Sequence, residues 1–214
     1  MVEQFRADLA AARPGLRVEA AHVDVQEPFV ADVVAALRDE GGAPMVVVPL
    51  LLSTGFHVKK DIGAAVASAP GRARAAAPLG PDPLLIRVLQ DRLAKIGAGP
   101  DDVIVLAAAG SSDPEASVAV GQMASALSKA RGDAVVEPAY VAAGSPTVAE
   151  TVSALRAAHP TARVTIASYL LAPGQFVSRL EEAGADLVTA PLAPHPALIE
   201  LTLNRFDVAL SGVS

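Results

Sequence analysis

The sequence predicts an α/β protein built from two similar halves that each contain a parallel sheet. Met45–Leu52 is an unbroken apolar run rich in β-branched valine, with glycine and proline before it and Ser53–Gly55 after it, as is typical of a buried parallel strand. Later segments of the chain repeat earlier ones at offsets of 113, 118 and 119 residues. Hydrophobic residues make up 52% of the chain and aromatic residues only 3%, so small aliphatic side chains must form the core.

The first half is predicted to alternate helices and strands as far as a linker at 97–100. Proline followed by glycine at 14–15 ends the first helix, and the Asp82-Pro83 pair starts the last one. In chain order, the expected elements are a helix over 3–13, a strand over 16–25, a helix over 27–37, the strand over 45–52, a helix over 61–68, a strand over 73–77 and a helix over 82–96.

The second half begins with an apolar strand over 103–109 and a helix over 112–130 that starts at Asp113-Pro114. Residues 101–118, which include this strand and turn, have no counterpart before Met1. Either a further segment precedes Met1, or the first half does without that strand and turn.

From there the second half repeats the first, and each pair of aligned residues carries an expectation. The aligned pairs are His57 with Phe176, Asp82 with His195 and Arg92 with Arg205. Since Asp82 starts a helix, His195 is expected in a helix-entry turn. The repeat predicts two domains, 1–99 and 100–214, and a cleft between them is the expected ligand site.

Composition excludes several classes of partner and chemistry. The net charge is -6 and there is no run rich in lysine and arginine, so neither nucleic acid nor an anionic membrane is an expected partner. The chain has no cysteine, which excludes disulfides, thiolate metal sites and a cysteine nucleophile. No apolar run approaches the roughly 20 residues that span a bilayer, and the N-terminus lacks an apolar signal core, so a soluble cytoplasmic protein is expected.

Motifs for nucleotide binding and for serine hydrolases are absent. There is no Gly-x-Gly-x-x-Gly, Walker or Gly-x-Ser-x-Gly sequence. A Ser-His-Asp site that uses Ser111 stays open as a weak alternative.

The residues after the central apolar run carry a family resemblance. The segment VPLLLSTGFHVKKDI at 48–62 resembles the strand, Gly-x-His-Val turn and helix start of the sirohydrochlorin chelatases of the CbiX type, which are class II chelatases. The duplication, the sequence AGSSDP at 109–114 and the segments APLGPDPLL at 77–85 and APLAPHPALIEL at 190–201 also resemble this family.

The resemblance implies a chelatase fold of two Rossmann-like halves with parallel sheets. It implies an ATP-independent lyase that inserts Co²⁺ or Fe²⁺, or else Ni²⁺, into the tetrapyrrole sirohydrochlorin on the way to sirohaem or a cobalamin precursor. No cofactor is required, because the divalent metal ion is itself a substrate. The partner is therefore a small molecule, with neither nucleic acid nor a membrane involved.

By the same resemblance, His57 and Glu27 are the candidate catalytic and metal-binding residues. A neutral imidazole binds divalent Fe, Co or Ni and can accept the pyrrole protons that leave the macrocycle. His57 follows the central strand, at the sheet edge where open α/β sheets bind ligands. The alternatives are a structural histidine and a glutamate that merely favours the positive end of its helix.

A further group of residues, near His57 and in the turn after the strand over 103–109, gives weaker candidates for substrate binding. Lysines at a helix start are more often solvated charges than carboxylate ligands. The turn at 110–114 is equally explained as a capped helix start with proline at its first position. The residues of this group are Ser53, Thr54, Gly55, Lys59, Gly110 and Ser111.

The second half departs from the family pattern at two positions. Ala109 stands where the family has the histidine of a His-Gly-Ser/Thr turn, and Phe176 stands where His57 repeats. Ala109, together with the absence of a His-Gly-Ser/Thr turn from the first half, motivates an alternative function, a non-catalytic tetrapyrrole- or metal-binding homologue that has lost chelatase activity. A strand edge left unpaired could also pair with a second chain, so both a monomer and a homodimer are compatible with the sequence.

Overall fold

The computed structural model describes residues 2–53 and 55–212, and for residues 56–59 it describes the backbone only. The chain forms two compact units, one of Met1–Leu79 with Leu198–Ser214 and the other of Gly80–Ala197. These are called unit 1 and unit 2 below. The predicted domains, 1–99 and 100–214, follow the sequence repeat, and that division stays a prediction.

The described elements alternate helices with short parallel strands, as the α/β class requires. In chain order they are α1 (Val2–Ala12), α2 (Val30–Glu40), β1 (Met45–Val47), α3 (Phe56–Ala67), β2 (Ala73–Ala75), α4 (Pro83–Lys95), β3 (Val103–Gly110), α5 (Pro114–Ala130), β4 (Val136–Ala143), α6 (Val148–Ala158), β5 (Val164–Tyr169), α7 (Gln175–Glu181), β6 (Leu187–Val188) and α8 (Pro196–Ser211).

Unit 1 contains a two-stranded parallel sheet covered by α2 and α3. Strand β1 pairs with β2 in the register Met45 to Ala73 and Val47 to Ala75. The helices pack on it through buried aliphatic side chains, among them Val34 of α2 and Ala65 of α3. This small core is built from valine and alanine, as the composition predicts.

Two sequence predictions for unit 1 are wrong in detail. The strand expected over 45–52 is three residues long and only half-buried, because β1 pairs with β2 alone among the described residues. The strand expected over 16–25 is absent from the described residues, where only an isolated bridge joins His22 to Phe29. Its repeat counterpart β4 is a strand because β3 lies beside it, and residues 1–99 contain no counterpart of β3.

Unit 2 contains a four-stranded, wholly parallel sheet in the order β4-β3-β5-β6. Strand β3 lies between β4 and β5 and is buried from Val103 to Ala108, which explains its continuous apolar sequence. Helix α6 covers one part of this core with Val148, Val152 and Leu155. The predicted strand over 103–109 and helix over 112–130 are therefore confirmed to within two residues.

Side chains start three of the helices at the predicted positions. The carboxylate of Asp82 accepts the N–H of Leu84 at 2.9 Å, and that of Asp113 accepts the N–H of Glu115 at 3.0 Å. Nδ1 of His195 accepts the N–H of Ala197 at 3.2 Å. The expectation that His195 repeats the role of Asp82 is confirmed.

Each helix in the described part of the chain is too short or too polar to cross a lipid bilayer.

Candidate functional site

His57 lies in the first turn of α3, and residues 48–55 connect β1 to that helix. Gly55 is the N-cap residue of that helix in an extended conformation, with φ -123° and ψ 136°. The chain between strand and helix is tied to unit 1 by a hydrogen bond from the Leu79 N–H to the Leu51 carbonyl, at 2.8 Å. The side chain of His57 lies outside the described part of the chain, so its metal-binding role stays a prediction.

Gly55 has no local structural reason to be glycine. Its φ is one that any residue adopts, and no described heavy atom lies within 4 Å of the position that a Cβ would take. A side chain at Gly55 would therefore fit the backbone and fill open space beside the start of α3.

Glu27 lies in the exposed turn between His22 and Phe29, just before α2. The predicted helix start at 27 is wrong, because α2 begins at Val30 with Phe29 as its N-cap and no side-chain cap. Glu27 therefore does not cap the helix. Because α2 packs against α3, the turn of Glu27 and the turn of His57 precede two neighbouring helices of unit 1.

The described side chains by themselves do not complete a metal site. No group of three or more potential ligands lies together among them. Ser53 is half-buried in the turn before α3, Lys59 lies in α3 with its side chain outside the described set, and Thr54 lies wholly outside it. Their substrate-binding roles stay predictions.

In unit 2, the turn after β3 is explained by its local structure. Gly110 has φ +90°, and a Cβ there would overlap the backbone carbonyl of Ala143 on the neighbouring strand β4. Oγ of Ser111 accepts the N–H of Asp113 at 3.1 Å, which leads into the capped start of α5. These contacts fit the capped-turn alternative, and a substrate role for Gly110 and Ser111 stays a prediction.

Unit 2 also contains a pocket at the carboxyl ends of β3 and β5, which the sequence did not predict. The pocket has a volume of about 420 Å³ and is lined by Ala109 and residues 170–176. It is called the Phe176 pocket below. Residues 170–176 are the repeat counterparts of 51–57, so the pocket occupies in unit 2 the sequence position of the His57 turn in unit 1.

An exposed aromatic ring and a cation mark the rim of this pocket. The Phe176 side chain is 37% exposed, and the guanidinium carbon of Arg179 lies 5.8 Å from the centroid of its ring. Sequence reasoning treated Phe176 only as the residue that replaces a histidine. An unburied phenylalanine is notable in a chain with 3% aromatic residues, but its exposure is visible only in the fold.

Tyr169 ends strand β5 beside the pocket and is excluded as a proton acceptor. Burial raises the pKa of the Tyr169 phenol far above its ordinary value, and the negative charge of Asp82 raises it further. The phenol therefore keeps its proton at neutral pH, and any proton acceptor must be sought elsewhere.

Comparison with known proteins gives a consistent result. A model of the CbiX family matches residues 1–96 and 103–209. The sirohydrochlorin ferrochelatase of Bacillus subtilis is 28% identical over 201 residues, which cover 87% of this chain and 77% of that protein. The sirohydrochlorin cobaltochelatase of Sulfolobus acidocaldarius is 30% identical over 80 residues, or 36% of this chain and 65% of that protein.

Solved structures share the fold. SirB from Bacillus subtilis with Fe³⁺ superposes with a TM-score of 0.86 at 24% identity, over 98% of this chain and 88% of that one. CbiX, described as the terminal enzyme for biosynthesis of siroheme in denitrifying bacteria, superposes with a TM-score of 0.69 at 20% identity, over 97% and 90% of the two chains. The predicted chelatase fold is confirmed.

Proposed function

The chain belongs to the CbiX family, and we propose that it is an ATP-independent chelatase that inserts Co²⁺ or Fe²⁺ into sirohydrochlorin. The observation that carries this proposal is the family match, which extends through both halves of the chain. The named relatives include both a ferrochelatase and a cobaltochelatase, which supports a divalent metal ion as the second substrate. Ni²⁺ is a further candidate, and no separate cofactor is needed.

The proposed reaction makes two demands on the protein. A divalent ion must be held beside the macrocycle, and pyrrole protons must leave the macrocycle as the ion enters. A neutral imidazole meets both demands, since its free ring nitrogen can bind a divalent transition metal or accept a proton. We assign this role to His57, which lies in the first turn of α3.

Glu27 is proposed as the second charged group. Its turn precedes α2, which packs against the helix that carries His57. A carboxylate attracts a divalent cation and can serve as an oxygen ligand or pass protons to water. Because Glu27 is exposed, a metal ion can reach its carboxylate from solvent without a large desolvation cost.

Metal insertion measured with the purified chain tests this function. Sirohydrochlorin is mixed with Co²⁺, or with Fe²⁺ under anaerobic conditions, and the change in the absorption spectrum is followed with and without protein. The proposal expects insertion clearly above the uncatalysed rate with at least one of the two ions. Binding of sirohydrochlorin without any acceleration would instead identify a non-catalytic tetrapyrrole-binding homologue.

The alternative rests on Ala109, which stands where the family pattern has a histidine, and on the absence of a His-Gly-Ser/Thr turn from residues 1–99. A metal-binding homologue without catalysis would bind Co²⁺ but leave the spectrum of sirohydrochlorin unchanged. The cytoplasmic location, the choice between monomer and homodimer, and the choice between sirohaem and a cobalamin precursor as end product stay predictions.

A further inference from the structure

Val25, in the loop between His22 and Phe29, has a backbone conformation that a β-branched residue rarely adopts. Its φ is +63°, in the left-handed region, and among the described residues other than glycine this region is shared only with Asp133. Aspartate tolerates the region better, because its short polar side chain can bond nearby backbone groups. For valine the strain is about 1 to 3 kcal/mol, and it persists only where the surrounding structure fixes the backbone.

Packing of the Val25 side chain does not offset this strain, since the side chain is 97% exposed. The turn around it is closed by a hydrogen bond from the Gln26 N–H to the Asp24 carbonyl, at 2.6 Å. A hydrogen bond between residues two apart, around a residue with positive φ, defines a rare and strained form of γ-turn. A strained conformation that gains nothing from burial points to a role in function rather than in stability.

The same loop fixes the backbone on both sides of Glu27. Before it, the Gln26 N–H is bonded within the γ-turn. After it, the Pro28 carbonyl accepts the N–H of His22 at 2.9 Å, and the His22 carbonyl accepts the N–H of Val30 at 2.8 Å. Glu27 is therefore an exposed carboxylate on an ordered backbone. A group held in this way loses little conformational entropy when it binds a metal ion.

The second copy of the repeat contains an equivalent loop of the same length. Residues 140–147 align with residues 22–29 at an offset of 118, and an isolated bridge joins the two ends of each loop at aligned positions. In both loops the N–H of the first residue donates to the carbonyl of the aligned proline, at 2.9 Å in unit 1 and 3.0 Å in unit 2. The two loops can therefore be compared position by position.

The two loops differ where the chain turns. Ala143, Gly144 and Ser145 stand where the first copy has Val25, Gln26 and Glu27. In the second copy the positive φ, +121°, occurs at Gly144, which adopts it without steric strain. A loop of this length can thus turn without a strained valine. The strain occurs in the copy that has a carboxylate at the turn.

We propose that Val25 is a positioning residue for the binding of the divalent metal ion by Glu27. A β-branched residue has few accessible backbone conformations, so Val25 leaves the closed loop few alternatives and orders Glu27 before the ion arrives. Glycine at this position would give the loop many more conformations. The inference rests on the proposed function, which assigns Glu27 to the metal, and it extends that function to a residue that need not touch the ion.

The dependence of the insertion rate on Co²⁺ concentration, at saturating sirohydrochlorin, tests the inference. It is measured for the wild type, Val25→Gly, Val25→Asn, Glu27→Gln and Asp133→Gly. Asparagine accepts positive φ while keeping a side chain, so Val25→Asn should preserve the turn. Asp133→Gly is the matched control, because Asp133 is an exposed residue of unit 2 with φ +62° and no proposed role in the reaction. Thermal unfolding is measured for each variant.

The inference expects Glu27→Gln to raise the KM for Co²⁺ roughly tenfold, through loss of a charged ligand. Val25→Gly should raise it roughly threefold with little change in kcat, because a smaller fraction of the loops is ordered for binding. Val25→Asn and Asp133→Gly should stay within about twofold of wild type. Both Val25 variants should be at least as stable as wild type, because the strain is relieved, so unfolding cannot explain the weaker binding.

The contradicting results separate the inference from the function on which it rests. If Glu27→Gln raises the KM for Co²⁺ while Val25→Gly leaves it unchanged, Val25 does not position Glu27, although the proposed function stands. An equal rise in Val25→Gly and Val25→Asn would also overturn the inference, because the turn conformation would then not be the cause. If Glu27→Gln has no effect, or the wild type inserts no metal, the assigned role of Glu27 fails and the inference fails with it.

Discussion

Arg92 and Arg205, which are equivalent in the sequence repeat, make matching contacts with the loop that precedes the other's helix. The Arg92 guanidinium donates to the carbonyls of Leu192 and Pro194, at 2.8 and 2.7 Å, just before α8. The Arg205 guanidinium donates to the carbonyls of Pro78 and Leu79, at 2.8 and 3.1 Å, before α4. The last helix of each repeat thus belongs to the compact unit formed mainly by the other repeat.

Replacing Arg92 or Arg205 by alanine should destabilise the protein. Each change leaves two backbone carbonyls without their charged hydrogen-bond donor. The expected decrease in the free energy of unfolding is about 1 to 3 kcal/mol. Urea unfolding followed by circular dichroism measures the midpoint. Arg6→Ala, which removes an exposed pair with Glu3 within α1, is the control and should leave the midpoint unchanged. If Arg92→Ala and Arg205→Ala unfold at the same urea concentration as the wild type, the two contacts do not stabilise the protein.

Gly110→Ala should be among the most damaging small substitutions in the chain. The residue has φ +90°, and the new methyl group would collide with the Ala143 carbonyl, so strands β3 and β4 must separate at their ends. A loss of at least about 2 kcal/mol in the free energy of unfolding is expected.

The matched control for Gly110 is Gly121→Ala in α5, where a Cβ meets no atom within 4 Å. A helical glycine replaced by alanine should gain about 0.5 to 1 kcal/mol. Thermal and urea unfolding of the two variants should therefore move in opposite directions. A Gly110→Ala protein as stable as wild type would contradict the close approach of the two strands.

Arg163→Ala should destabilise unit 2 more than Arg156→Ala. Asp102 is 6% exposed and accepts hydrogen bonds from Arg163 at 3.0 and 3.1 Å and from the Thr165 hydroxyl at 3.0 Å. Without the Arg163 guanidinium, the buried Asp102 carboxylate has no cationic partner among the described residues. Because that guanidinium is itself half-exposed, the expected decrease in the free energy of unfolding is only about 2 to 3 kcal/mol. Arg156 pairs with the more exposed Asp186, so its loss should be smaller, and the reverse order in urea unfolding would refute this ranking.

Asp186 should make stability depend on acidic pH. Its carboxylate accepts the backbone N–H of Val164 at 2.8 Å and lies 3.0 Å from the Arg156 guanidinium, and these contacts lower its pKa. Since the pKa is lower in the folded state, the stabilisation is complete above the ordinary value of 3.8 and is lost as the pH falls through the lowered value.

Asp186→Asn keeps an oxygen acceptor for Val164 but removes the charge. The variant should therefore be less stable than wild type at pH 7, and the two unfolding midpoints should converge as the pH falls below the ordinary carboxyl value of 3.8. Thermal unfolding across this range measures the difference. A gap that stays constant with pH would show that the Asp186 charge does not contribute.

The elements that the sequence predicted best are those whose environment is encoded locally. Strand β3 is continuous and apolar because both of its faces are buried, and the helix starts at Asp82 and Asp113 are set by their own side chains. The strand expected over 16–25 failed because a strand requires a neighbour to pair with, which local alternation does not reveal. The strand over 45–52 is short for the same reason, since β1 has one described partner.

The candidate site was predictable only in part. The sequence placed His57 between a strand ending at 52 and a helix beginning at 61, whereas β1 ends at Val47 and α3 already begins at Phe56, so His57 lies in the first turn of the helix. It placed Glu27 at the first position of the second helix, whereas α2 begins three residues later, at Val30. The Phe176 pocket was missed because it joins Ala109 at the end of β3 to residues 170–176 after β5, a contact between segments far apart in the chain.

The most direct test of the account is the initial rate of Co²⁺ insertion into saturating sirohydrochlorin by wild type, His57→Ala and His159→Ala. His159 ends α6 as its C-cap residue and has no proposed role in the reaction, so it controls for the loss of a histidine. The account predicts that His57→Ala loses at least about 100-fold in rate, as for removal of a group that handles both metal and protons, while His159→Ala keeps the wild-type rate. Insertion by His57→Ala at the wild-type rate would contradict it.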